Sequence, residues 1–220
     1  GGPNDRALVS VAVGAHLNLH GSAMLAAAQG SREAGNAPNA VLAASVAVSG
    51  PRDAEPARCI ARALIDALAA AGVRDALDES FDLARIAADP ALIDLVTSGA
   101  PDPRAQAMLA GLHARGVRSV PLRWLRSLPG QPRAAAVLAA ITTTLGWGPL
   151  MRKRVSRLTV ETLPAWMQLF GAMLGASVEA SRHAPGAFCD IDEAQLLGRA
   201  SLTETAFVAL LGRAPSESDL

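Results

Sequence analysis

Residues 54–71, AEPARCIARALIDALAAA, decide the fold class. Ile60, Leu64, Ile65 and Leu68 recur at three- and four-residue spacing, Arg58, Arg62 and Asp66 take the opposite side, and Gly72 follows as a C-cap. That is an amphipathic helix with one face for a core. Working outward, similar periods predict helices over residues 80–88, over 90–97 with Pro90 at the first helical position, and over 103–115 with Asp102 as N-cap and Gly116 at the end. Further helices are predicted over 121–128, 132–145, 150–162, 164–182, 191–197 and 202–211. Alternating apolar and polar runs bounded by hairpin turns are missing, so the chain reads as all-α. Residues 30–39, GSREAGNAPN, read as a loop between two Ala-rich helices, with shorter breaks at 98–101, 128–131 and 146–149. No repeat of fixed period is visible, which argues against a helical solenoid.

The 220 residues suffice for one ordinary domain, or a large helical layer with a smaller one. Half of them are hydrophobic but only 3% aromatic, with no Tyr, so the apolar content comes from small side chains that favour close helix packing. Twenty basic and 20 acidic residues cancel, which removes the electrostatic case for nucleic acid or a polybasic membrane surface. Two cysteines, Cys59 and Cys189, cannot build a disulfide framework, and a reducing cytoplasm is the expectation. No run reaches the roughly 18 apolar residues of a spanning helix, and the first residues lack the pattern of a signal peptide. A soluble, cytoplasmic protein is therefore expected.

His16 and His20 stand four apart, which is ligand spacing if one helix carries both, but no Glu lies between them as in a zincin and Gly21 follows at once. No metal site is predicted. His113 and His183 read as surface residues on helix ends. A G-x-S-x-G elbow and a Gly-rich phosphate loop are both absent, so those enzyme classes drop out. Arg123 with Arg126, and Arg152, Lys153, Arg154 and Arg157, could bind an anion, yet a solvated helix face is the commoner meaning of such runs.

Residues 12–23, AVGAHLNLHGSA, resemble the helix-then-turn segment of citrate synthases and citryl-CoA lyases that ends in a His-Gly-Gly-Ala-type motif, here His20-Gly21-Ser22-Ala23. Residues 102–109, DPRAQAML, resemble that family's DPRA segment, the most specific match. Residues 137–150, VLAAITTTLGWGPL, are similar to the helix and turn after its Asn-Val-Asp motif, and residues 164–181 fall where it has its return helix. Residues 191–220 resemble the family's amino-terminal region, LIGR-S-F-x-E and LLTGR-x-P, so the order is permuted.

The resemblance implies an all-α, citrate synthase-like fold, with large-domain portions at 1–30 and 146–220 and a small domain at 31–145. It implies an acyl-CoA enzyme that makes or cleaves a carbon–carbon bond next to a thioester, with His20 holding the enolate oxygen and Arg104 a substrate carboxylate. A CoA thioester would be substrate, no cofactor would be tightly bound, and a keto acid or citrate-like acid would be the second ligand. It also implies a homodimer, with Gly171, Ala172 and Gly175 as close-contact residues.

Two departures bear on the chemistry. The Gly-x-Gly-His motif before DPRA is missing, and Gln131-Pro132-Arg133 stands at the Asn-Val-Asp position, so the general base is replaced by an Arg that cannot accept a proton. At the start of the return helix the family's Arg reads Glu161. Arg133 and Glu161 are thus expected to form an ion pair beneath His20, and His20 to converge with Arg104. A catalytically inactive homologue, acting as a partner or regulatory subunit, is the alternative to the enzyme.

Overall fold

The computed structural model describes residues 2–19, 21–87 and 89–181, and the statements below concern these. His20 and the predicted helices at 191–197 and 202–211 lie outside the described residues. The helices are α1 (Pro3–Gly14), α2 (Ala23–Glu33), α3 (Pro38–Ala47), α4 (Pro51–Ala70), α5 (Pro90–Val96), α6 (Pro103–Ala114), α7 (Val120–Ser127), α8 (Ala134–Met151) and α9 (Arg157–Ser181). Two short strands, β1 (Thr97–Ser98) and β2 (Gln131–Pro132), pair antiparallel and are too small to alter the class. The described chain is all-α.

The predicted stripe on α4 is in place: Ile60, Leu64, Ile65 and Leu68 are all buried. They pack on α8, the central helix, which also touches α1, α5, α6, α7 and α9. One hydrophobic core takes residues from Ala7 through Val160, and a smaller cluster joins Leu19, Met24 and Leu25 to Ala172 and Ala176 of α9. The domain boundaries drawn at 30 and 145 fall inside α2 and α8, and the main core draws on α1, α4 and α8 together.

Several expected elements differ. Of the helix expected over 80–88, residues 80–87 hold only a 3₁₀ turn, Leu83–Arg85, because Asp78 and Asp82 draw the backbone N–H groups of Ser80 and Ala84 into local turns. The loop expected at 30–39 shrinks, since α2 continues to Glu33 and α3 starts at Pro38. The break expected at 146–149 is instead the last turn of α8, with Gly146 kept small because a Cβ there would stand 2.6 Å from a Val160 methyl. The turn falls later, where Lys153 adopts φ 55°. Pro164 lies inside α9 rather than at its start, so the expected break before it is absent and one helix runs from Arg157 to Ser181, while residues 150 and 151 belong to α8.

The 18 residues of α8 are long and apolar enough, by length and composition, to cross a membrane, which the sequence reading did not anticipate; 61% of them are buried within the protein, as in a core helix. The Arg runs also have structural work. Arg123 donates to the carbonyls of Asp78 and Phe81, and Arg126 to that of Leu109. Arg157 grips Asp66 of α4 with both terminal nitrogens, at 2.6 and 2.8 Å, and Glu161 with Nε at 2.6 Å.

Candidate functional site

The segment between α1 and α2 sets the floor of the site. Helix α1 ends at Gly14, so His16 lies beyond it, in the turn that follows. Residues 15–19 instead form a turn against α9. It sits so close that a Cβ at Gly171 would meet the Val13 carbonyl and stand 2.8 Å from the His16 Cβ, and one at Gly175 would overlap the Leu17 carbonyl. Gly171, Ala172 and Gly175 are therefore used in an intrachain contact, not on a free dimer face. Gly21 then takes φ +70°, a left-handed value suited to glycine, and Ser22 caps α2 by accepting from the Leu25 N–H at 3.2 Å.

Arg104 is placed from the other side. Asp102 caps α6 by accepting from the N–H groups of Arg104 and Ala105 at 3.0 and 3.1 Å, while its second oxygen accepts from the Ala134 N–H at 2.7 Å. One carboxylate thus ties the starts of α6 and α8 together. Both of its oxygens accept from backbone N–H groups.

A cavity of about 390 Å³ opens between these parts, lined by His16, Leu19, Gly21, Asp53, Arg104 and Gln168 among others. Its volume suits a small molecule, for which about 300–1,000 Å³ is usual. Leu19 and Gly21 line this cavity together with Arg104, although they stand far apart from it in sequence. His16 Nδ1 lies 2.8 Å from the Ala12 carbonyl, which only accepts, so Nδ1 carries the proton. Burial lowers the His16 pKa to about 4, against the hydrogen bond to Ala12, and the Arg104 charge lowers it further. At neutral pH the imidazole is uncharged and Nε2 is an acceptor.

The other two residues expected in the site are elsewhere. Arg133 donates from Nε to the Thr97 carbonyl at 2.7 Å and reaches the Asp94 carbonyl at 3.5 Å, at the start of α8. Glu161 is buried near the opposite end of that helix, where it accepts from Arg157 at 2.6 Å and Arg62 at 3.2 Å. An 18-residue helix is about 27 Å long. The expected Arg133–Glu161 pair is thus ruled out, and neither residue lines the Arg104 cavity. Asp53, which the sequence reading missed, is the one acid that does, among the described residues.

No family model, curated protein or solved structure matches this chain. Among the described residues no group of three or more His, Cys, Asp or Glu side chains could hold a metal ion.

Proposed function

We propose that this chain is a citrate synthase-like protein that binds a keto acid or citrate-like carboxylate on Arg104, with a CoA thioester as the partner substrate. The observation that carries the reading is the cavity shared by Arg104 and the residues on either side of position 20. A guanidinium offers five donors in a fork that matches a carboxylate, and the neutral His16 adds an acceptor without a competing charge. His20 would hold the enolate oxygen in this reading. A catalytically inactive homologue is the second reading, and it is favoured by Arg133, which stands at the family's base position and lies on backbone carbonyls. Active chemistry would leave Asp53 as the acid available to take a proton.

Titration calorimetry with oxaloacetate, citrate and acetyl-CoA separates these readings. Binding of at least one of the two acids is expected, weakened tenfold or more by Arg104→Ala, since a charge-assisted pair contributes about 1.5–3 kcal/mol. Citrate formation from acetyl-CoA and oxaloacetate is expected to stay at background. Robust turnover would eliminate the inactive reading, and an absence of binding by either acid would remove the family's function altogether.

The homodimer is also a proposal, now on a different face. Trp166, Phe170 and Met173 follow one another along α9 and are 64%, 50% and 36% exposed. Covering such a stripe removes apolar area from water. Light scattering at micromolar concentration should give twice the chain mass, and Trp166→Asp should return a monomer. A wild-type monomer would end this proposal.

A further inference from the structure

A second cavity, about 210 Å³, adjoins the first. Ser49, Asp53 and Gln168 line both, so the two are rooms on either side of one sill. The sill joins two helices: Gln168 of α9 donates from Nε2 to the Asp53 carbonyl of α4 at 3.4 Å. The chemistry differs across it. The first room has Arg104 and His16; the second is completed by Val46, Gly50, Ala54, Ala165 and Leu169, which carry no charge. The Asp53 carboxylate accepts from the Gly50 N–H at 3.3 Å, at the N-terminus of α4, where the helix dipole favours a negative charge. The smaller room is below the usual size of a ligand site, but it is well placed to take an extension of a ligand seated in the larger one.

We infer that the two cavities form one site for a carboxylic acid with an aliphatic tail, its carboxylate on Arg104 and its tail over Gln168 among Val46, Ala54, Ala165 and Leu169. The inference rests on the carboxylate reading above and adds the class of acid. Beyond Ser49, Asp53 and Gln168 on the sill, the second room offers water no polar side chain, so a hydrocarbon that displaces it there gains area with few strong hydrogen bonds lost. Each methylene buried there should tighten binding about fourfold.

Calorimetry on the full chain with acetate, butanoate and hexanoate tests this, with oxaloacetate and citrate as tail-free controls. Affinity should rise about fourfold per methylene along the series. Ala165→Leu fills the second room from the partly exposed side of α9, and Val46→Phe fills it from α3; neither residue lines the Arg104 cavity. Each variant should flatten the series to less than about threefold from acetate to hexanoate and leave the tail-free acids unchanged. Arg104-dependent binding of the controls with no rise along the series would overturn the tail site and leave the carboxylate reading standing. A rise that persists in both variants would put the tail elsewhere and overturn the inference as well. If no acid binds, both readings fall.

Discussion

Gly175→Val should lower the unfolding free energy by about 3 kcal/mol, the upper end of what overpacking a well-filled interior costs. The site is unusually unforgiving, because the group that a Cβ would strike is the Leu17 carbonyl, and the Leu19 Cγ stands 3.2 Å away. A side chain can change rotamer; a buried carbonyl in a tight turn moves only if the turn moves. The helix propensity gained over glycine, of order 0.5 kcal/mol for valine, does not offset that. For a chain of this size the change corresponds to a melting temperature lower by roughly 6–12 °C. The same shift should weaken carboxylate binding, since the 15–19 turn supplies His16 and Leu19 to the cavity. Gly30→Ala is the matched control: it lies in α2 with nothing within 4 Å of an added Cβ, and should raise stability by about 0.5–1 kcal/mol. Urea unfolding of the two variants reads both signs. Equal stability of Gly175→Val and wild type would mean that α9 does not press on the turn.

The contrast between α4 and the 80–88 stretch shows where sequence reading works. In α4 the apolar residues fall on one side with Arg58, Arg62 and Asp66 on the other, and a local period of this kind survives any tertiary arrangement. In 80–88 the period is equally suggestive, but Asp78 and Asp82 offer the backbone competing hydrogen bonds before a helix can nucleate. Gly146 and Pro164 mislead in the opposite way. Both are breakers by propensity, yet α8 and α9 run through them because those helices pack on several neighbours at once, and Gly146 is what lets Val160 come close.

The helix start that positions Arg104 was legible, because Asp102 and Pro103 before it signal an N-cap and a first helical residue. Asp53 was not, because the period of α4 starts at Ala54 and the three residues before it, which begin the helix at Pro51, carry no apolar signal. The neutrality of His16 was invisible for another reason, since it comes from burial and the Ala12 carbonyl rather than from neighbours in sequence that a motif could flag.

Glu161→Arg should cost about 3–5 kcal/mol, and Arg133→Asp should not rescue it. The resemblance stated from the sequence makes the two look like an exchanged pair, so the double change would be expected to restore a lost arrangement. The structure gives each a different partner. Glu161 is buried and pairs with both Arg62 and Arg157, and Arg157 in turn holds Asp66, so two carboxylates and two guanidinium groups tie α4 to α9. Burial raises the Glu161 pKa, but the hydrogen bonds from Arg157 and Arg62 outweigh that and leave it below the ordinary glutamate value of 4.5. A folded-state pKa that is depressed means stability present above the unfolded value and lost as pH falls through the folded one. Glu161→Gln should accordingly flatten the fall in stability below about pH 4.5, while Glu161→Arg at pH 7 buries a third cation beside two that are about half exposed, takes from Arg62 the carboxylate it pairs with and leaves Arg157 with Asp66. Arg133, at the other end of α8, donates, among the described residues, to the carbonyls of Thr97 and Asp94, so Arg133→Asp adds its own loss rather than a gain. Sites this far apart should be additive to within about 0.5 kcal/mol. A double-mutant cycle by urea denaturation measures it: a coupling near zero is expected, and a favourable coupling above about 1 kcal/mol would bring Arg133 and Glu161 back into one pocket.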